Sequence, residues 1–144
     1  MENKTESNRR IEQETGNYLG LTFIRAPKRN HDAMTQIGQP FVEWFKKQGV
    51  RPEIYYLRGT SNEQDDSTPE GLQGIADKLS VGEDEELWVL LQFYRDEAHA
   101  NEVYSKMMQD ESIGQLVKKF DGLIVQGSNL IMGGFTHSGV KYKS

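Results

Sequence analysis

The chain has 144 residues, a formal net charge of −5 at pH 7 and no cysteine. This length is enough for one domain, and the acidic charge disfavours nucleic acid as a partner because its phosphates would be repelled. Without cysteine there can be no disulfide, thiolate metal site or thiol nucleophile. Residues 1–16 lack the apolar core of a signal peptide, and no window holds the roughly 18 apolar residues of a membrane helix. We therefore expect a cytoplasmic protein that has neither nucleic acid nor a membrane as a partner.

The first half of the chain predicts an arm, a strand, a helix and a second strand. The arm is polar throughout, so little of it can be buried and we expect it to be flexible. Asn30 is a typical N-cap residue for the helix, and Pro40 is expected to bend the helix because proline has no backbone N–H. The predicted bounds are 1–16 for the arm, Tyr18–Arg25 for the first strand, about Asn30 to Gln48 for the first helix and about Glu53–Leu57 for the second strand.

The second half predicts a loop, a short helix, the most apolar strand of the chain and two further helical segments. Thr68-Pro69-Glu70 is typical of a helix start, with proline at the first helical position. Asp110 interrupts the later helical spacing, and Gly127-Ser128 between two apolar runs favours a final hairpin. The predicted bounds are 58–68 for the loop, Leu72 to Leu79 for the short helix, Leu87–Tyr94 for the third strand, about Asp96 to Gln109 and 113–120 for the helical segments, and 123–126 with 129–135 for the hairpin.

The order of these elements, β-α-β-β-α-β, is typical of a ferredoxin-like α+β domain with an antiparallel sheet and its helices on one face. We place this domain at residues 17–135, followed by a loose tail at 136–144. Several strands are apolar on both faces, and large exposed apolar patches are rare on soluble monomers. The second face therefore predicts a homodimer closed sheet to sheet, as in a dimeric α+β barrel; the alternative is that the arm and the tail cover it within one chain. The side chains expected to need this cover are Trp88, Leu90, Tyr56 and Tyr94.

Short segments at both strand–helix junctions resemble the YbaA-like family of bacterial domains of unknown function. They are Pro27-Lys28-Arg29-Asn30-His31-Asp32-Ala33 and Tyr94-Arg95-Asp96-Glu97-Ala98-His99. Gly82-Glu83, Phe120-Asp121-Gly122 and Gly133-Gly134-Phe135 also occur in the family's order. The resemblance covers residues 18–135 and implies membership of the dimeric α+β barrel superfamily, although this chain carries extra residues between Asp121 and Gly133. It implies no particular reaction.

His99 and Tyr94 are the candidates for catalysis. His99 follows the second strand–helix junction, so an orientation toward the sheet would bring it to Tyr94 or Trp88, where it could act as a base or a haem ligand. The alternative is that His99 packs at the helix start with its ring bonded to the backbone. His31, in the first turn of a helix, and His137, in the tail, are weaker candidates.

Aromatic and amide side chains predict the lining of an apolar pocket with a few polar contacts, which is the usual composition of a ligand site. The candidates for ligand binding are Trp44, Tyr56, Trp88 and Gln92, with Asn17 as a further amide. Their alternative role is in the core or in the dimer interface. No two histidines share a helix face and no glycine-rich phosphate loop occurs, so we expect neither a metal nor another cofactor.

Three functions are compatible with these residues. The leading one is a small homodimeric protein whose cleft binds a small, largely apolar or aromatic molecule. The alternative is a cofactor-independent monooxygenase or isomerase that acts on an aromatic small molecule. The third is a domain that binds a protein partner through its acidic stretches or its N-terminal arm. The residues alone do not decide between an enzyme and a binding protein.

Overall fold

The computed structural model describes residues 15–57, 74–128 and 131–141. In chain order their helices and strands are β1 (Tyr18–Pro27), α1 (His31–Lys47), β2 (Arg51–Tyr56), α2 (Ile75–Lys78), β3 (Glu85–Tyr94), α3 (Glu97–Gln109), α4 (Glu111–Asp121) and β4 (Ile131–Thr136). A 3-10 turn at Lys28–Asn30 joins β1 to α1. None of the helices in these residues is long and apolar enough to cross a membrane.

The strands form one antiparallel sheet in the order β2-β3-β1-β4. The central strands β1 and β3 pair along their whole length, from Tyr18 opposite Tyr94 to Pro27 opposite Glu85. Central strands that are covered on their faces are expected to be apolar, and both of these are. The prediction of an α+β domain with an antiparallel sheet is therefore confirmed.

The two faces of the sheet have different surroundings. Ile24 and Trp88 lie opposite each other and are buried against Met34 of α1. Because side chains alternate along a strand, the register puts all even-numbered strand residues on this side, which we call the helix face. The odd-numbered residues, such as Leu21 and Leu91, lie on the other side, which we call the open face.

Within the described part of the chain, α2 and the turn after it cover one corner of the open face. There Ala76 and Val81 pack against Leu87. The expectation that Trp88, Leu90, Tyr56 and Tyr94 need an external cover is wrong, because these even-numbered residues lie on the helix face. The apolar and aromatic strand side chains that remain half-buried or exposed on the open face are, among the described residues, Leu19, Leu21, Phe23, Tyr55, Val89, Leu91, Phe93, Ile131 and Phe135.

The three longer helices are held together by a second group of buried side chains. Phe45 of α1, Val103 of α3 and Ile113 of α4 pack around Val50. Burying an apolar side chain of this size stabilises a fold by about 1.5–3 kcal/mol relative to exposing it. This group therefore fixes the helices as one layer over the sheet.

The helix starts confirm the predicted start near Asp96 and the predicted break at Asp110, and they overturn the predicted cap at Asn30. Asp96 caps α3 and Asp110 caps α4 through their carboxylates. Asn30 makes no side-chain cap for α1, which follows the 3-10 turn directly; its Nδ2 donates to the Leu123 carbonyl at 2.9 Å instead. α1 runs through Pro40 as one helix.

The predicted final hairpin is wrong. β4 pairs with β1, and segment 123–128 is an irregular turn beside the other end of β1. The Arg25 carbonyl accepts hydrogen bonds from Val125 N at 2.8 Å and from Ser128 Oγ at 3.1 Å. The apolar residues of this segment pack against the core, so their composition reflects burial and not strand pairing.

Some predictions lie outside the described residues, and the tail is partly inside them. Those outside are the arm before Thr15, the loop at 58–68 and the helix start at Thr68-Pro69-Glu70. The tail begins in the sheet, because Thr136 belongs to β4 and His137 N donates to the Asn17 carbonyl at 2.8 Å.

Candidate functional site

A cleft of about 440 Å³ lies between the helix face of the sheet and the helices α1, α3 and α4. We call it the outer cleft. Strands β1, β3 and β4 form its floor, and the helices supply walls of mostly aromatic and aliphatic side chains. Residues that define its shape are Gly20, Gln92 and Gly134 on the floor, and Phe41, Tyr104, Met107 and Phe120 on the walls. A space of this size and composition is typical of a site for a small apolar ligand.

Three polar side chains of the sheet meet at one end of the outer cleft. Tyr18 and Tyr94 are cross-strand neighbours whose ring centroids lie 6.2 Å apart, and Gln92 is the next residue on the helix face of β3. Burial, with a smaller effect of nearby Tyr18, raises the pKa of Tyr94 to about 12. Tyr94 is therefore a neutral phenol at physiological pH, able to donate and accept hydrogen bonds.

Two glycines make room for these polar groups. A Cβ atom on Gly20 would lie 3.2 Å from Gln92 Oε1 and 3.2 Å from Tyr94 Cε2, which is closer than Cβ atoms normally approach. A Cβ atom on Gly134 would overlap the Tyr18 hydroxyl. The absence of side chains at these two positions thus lets the polar groups lie directly on the sheet.

A second, smaller cavity of about 30 Å³ lies beside the outer cleft, between α1 and the strands β2 and β3. We call it the inner cavity. The residues that line both spaces, and so separate them, are Phe41, Phe45, Leu90, Gln92 and Phe120. Within this partition Phe41 and Phe120 pack edge to face with ring centroids 5.7 Å apart.

The two spaces are almost free of charge. Among the described residues that line them, none is Lys, Arg or His. Of their carboxylates, Asp121 is exposed at the end of α4 and Glu53 belongs to the open face of β2. An anionic ligand would lose its hydration here without gaining a cationic partner. The lining therefore favours an uncharged ligand.

His99 is buried, and both of its ring nitrogens are bonded to the backbone. Nδ1 accepts from the Arg95 N–H at 3.1 Å, which places the ring proton on Nε2, and Nε2 donates to the Gln48 carbonyl at 2.7 Å. The ring also contacts Tyr94 edge to face, with centroids 5.7 Å apart. Since neither nitrogen is free to exchange a proton with a ligand, this geometry favours the packing role of His99 over the catalytic one.

The structure separates the four predicted ligand-binding residues. Gln92 lines both spaces and Trp88 lines the inner cavity. Trp44 lines neither, because its Nε1 donates to Asp110 Oδ2 at 2.9 Å in the helix layer. Tyr56 also lies outside both spaces, and its ring packs on Trp88 with centroids 5.1 Å apart.

The other candidates lie away from the cleft. His31 Nδ1 is 2.8 Å from Glu86 Oε1, and its ring packs on that of Tyr56 with centroids 4.7 Å apart. In the tail, His137 Nδ1 accepts from the backbone N–H of Gly139 at 2.9 Å. Asn17 is exposed just before β1.

Sequence reasoning did not place Tyr18, Gly20 or Gly134 in the site. The signal that identifies them is the strand register, which sets Tyr18 opposite Tyr94 and Gly20 opposite Gln92. These partners are distant in the sequence, so no local pattern reveals the pairing.

The described residues include no group of three or more His, Asp or Glu side chains arranged to hold a metal ion. Comparison of the chain with protein-family models and with curated proteins found no match. The family resemblance therefore rests on the sequence segments at the two strand–helix junctions and on the shorter segments that follow them.

Proposed function

We propose that this protein binds a small, uncharged, largely apolar molecule in the outer cleft. The observation that carries the proposal is an open space of about 440 Å³ between the sheet and the helices. A concave, solvent-accessible space lined mainly by aromatic and aliphatic side chains is the usual form of a ligand site, and exposed apolar surface of this kind commonly marks a binding function. The polar end formed by Tyr18, Gln92 and Tyr94 gives the ligand an orientation.

The enzyme alternative, a cofactor-independent monooxygenase or isomerase, needs a base that works near neutral pH. Tyr94 is the predicted catalytic residue that lines the cleft, and burial raises its pKa to about 12. Almost none of the Tyr94 phenolate is therefore present at neutral pH, so Tyr94 is poorly suited to act as a general base there. Binding without turnover is therefore the better-supported function.

The partner-binding alternative relies partly on the acidic stretch at 83–86. Two of its four residues are engaged within the chain, because Glu85 is 3.3 Å from Arg25 Nη1 and Glu86 is 2.8 Å from His31 Nδ1. A carboxylate already paired with its own chain is less available to a partner. This favours the cleft over the acidic stretch as the functional surface.

We further propose that the subunit is ferredoxin-like, belongs to the YbaA-like family and pairs with a second copy through its open face. The antiparallel order β2-β3-β1-β4, with helices between β1 and β2 and between β3 and β4, supports the fold assignment. The apolar side chains of the open face support the second copy, because a two-fold interface buries the same patch on both subunits. The alternative cover by the N-terminal arm predicts that deleting residues 1–14 makes the protein associate or aggregate.

Isothermal titration calorimetry with 2-ethylnaphthalene, a neutral bicyclic hydrocarbon, tests the binding proposal. Ala100 of α3 lines the outer cleft, whereas Ala98 on the same helix is exposed. We expect the wild type and Ala98→Phe to bind the probe and Ala100→Phe to lose binding, because its ring fills the cleft. Circular dichroism of both variants checks that the fold is kept. Equal binding by the two variants, or none by the wild type, contradicts the proposal.

A further inference from the structure

The inner cavity is lined by a tryptophan whose buried indole donor has no acceptor among the described residues. Trp88 lines this cavity and is 4% exposed. Its indole Nε1–H is buried and has no hydrogen-bond partner among the described residues. A buried donor without a partner is destabilising and is rare in native proteins, so such a donor beside a cavity needs an explanation.

The inner cavity is also kept open at the expense of helix stability. Gly38 lies in the middle of α1 and lines the cavity. Glycine in a helix interior is less favourable than alanine, because it loses more backbone freedom on folding. A Cβ atom at this position would lie 3.3 Å from Ile54 Cδ1, so alanine would take up part of the space. The glycine thus preserves a cavity that a more stable helix would fill.

We infer that the inner cavity receives one end of the ligand proposed for the outer cleft, and that this end carries a carbonyl or ether oxygen that accepts a hydrogen bond from Trp88 Nε1. The inference rests on the proposed function of the cleft. The inner cavity has a volume of about 30 Å³. One water needs roughly 10–15 Å³ on the same measure, so the inner cavity holds a group of about two or three heavy atoms.

The route between the two spaces passes the partition formed by Phe41 and Phe120, which line both. Both rings are only partly buried, and the inference requires them to rotate enough to admit a narrow group. The lining excludes a charged end group, because no cation among the described residues faces either space. The ligand class is therefore a neutral, mostly apolar compound with a ketone, ester or ether oxygen at its narrow end.

Three probes that share a naphthalene ring and differ in the group at its 2-position test this inference: 2-acetylnaphthalene, 2-ethylnaphthalene and 2-naphthoate. The acetyl compound is the more polar of the two neutral probes, so hydrophobicity alone predicts that it binds more weakly than the ethyl compound. A hydrogen bond to an otherwise unsatisfied donor reverses this order, and we expect the acetyl probe to bind about tenfold more tightly. We expect 2-naphthoate to bind more weakly than both.

The indole N–H resonance of Trp88 gives a readout that needs no variant of the site. The chain has two tryptophans, so Trp44→Phe leaves one indole peak in a ¹⁵N–¹H spectrum and assigns the other. We expect the Trp88 peak to move downfield with 2-acetylnaphthalene and to move much less with 2-ethylnaphthalene. If both probes bind equally and move the peak equally, the inference fails while the proposed function stands. If neither binds, both fail.

Two glycine substitutions provide a matched pair. Gly38→Ala and Gly114→Ala each place alanine inside a helix, but a Cβ atom on Gly114 meets no atom within 4 Å. We expect Gly114→Ala to stabilise the fold and leave the affinity for 2-acetylnaphthalene unchanged. Gly38→Ala should weaken that affinity at least fivefold while leaving the protein folded. Equal affinities of the two variants overturn the inference.

Discussion

Tyr94 shows how one residue acquires its chemistry from its neighbours in the fold. It ends β3, lies beside Tyr18 across the sheet and has its ring against the edge of His99. Gly20 leaves the space into which the Tyr94 ring leans. The result is a phenol held in a mostly apolar environment, which disfavours the charged phenolate and keeps the group neutral.

Replacing Tyr94 by phenylalanine tests this environment directly. The folded-state pKa is raised from 10.0 to about 12, chiefly by burial. The neutral phenol therefore contributes its stability fully below pH 10, and this stability is lost as the pH rises toward 12. We expect an alkaline absorbance titration of the folded wild type to contain a late tyrosine component that Tyr94→Phe lacks. Tyr104→Phe, at a ring that is 60% exposed, is the control and should keep that component.

At the scale of elements, Asp110 joins three helices, α3 through its backbone N–H and α4 and α1 through its carboxylate. It follows the last residue of α3 and caps α4, where its Oδ1 accepts from Ser112 N at 2.9 Å and from Ser112 Oγ at 2.6 Å. Its Oδ2 accepts from Trp44 Nε1 of α1 at 2.9 Å. The helix layer thus depends on an ionised group at the junction of α3 and α4.

We predict that Asp110→Asn removes part of the acid sensitivity of the fold. Hydrogen bonds from the Ser112 hydroxyl, then Trp44, lower the pKa of Asp110 from 3.8 to about 2. The carboxylate therefore contributes stability above pH 3.8 that is lost as the pH falls toward 2. Urea unfolding across this window should show a shallower decline for the variant, from a lower starting stability. Asp121→Asn, at the exposed end of α4, should decline as the wild type does; a decline of Asp110→Asn as steep as the wild type's contradicts the prediction.

The elements themselves could be predicted where their signals are local. The break at Asp110 and the cap at Asp96 are readable because a capping aspartate acts within one helical turn. The partner of Trp44 is 66 residues away, so its structural role could not be read from its neighbours. The hairpin predicted to begin at 123–126 was wrong for a related reason. An apolar run indicates that its residues are buried, but it does not show whether they pair with another strand.

The candidate site could be predicted only where its residues carry a local signal in the sequence. Gln92 is a polar residue inside the most apolar strand, and that contrast singles it out in the sequence. His99 looks like a catalytic residue until its two backbone partners are known, and these come from the helix start and from the end of α1. Tyr18 and Gly134 become site residues only through the register of β1 with its two neighbours.

At the scale of the whole molecule, the open face sets the expected assembly. Phe135 of β4 lies on this face and is 52% exposed in a single chain. We predict that Phe135→Asp converts the proposed dimer to a folded monomer, since burial of a phenylalanine contributes about 1.5–3 kcal/mol and a two-fold interface contains it twice. Native mass spectrometry measures the change. Met108→Asp, at an apolar α3 residue that is 73% exposed, should remain dimeric, and a monomeric wild type contradicts the prediction.

The sheet order also has a consequence for synthesis on the ribosome. β1 leaves the ribosome first. One of its two edges pairs with β4, and residues 131–136 of that strand are made much later. Until then the nascent chain displays an unpaired central strand, which is a template for unwanted pairing. The floor of the outer cleft includes Met132, Gly133 and Gly134. The binding proposed for this cleft therefore requires that β4 has been made and has docked, and a nascent chain that lacks β4 is expected not to bind.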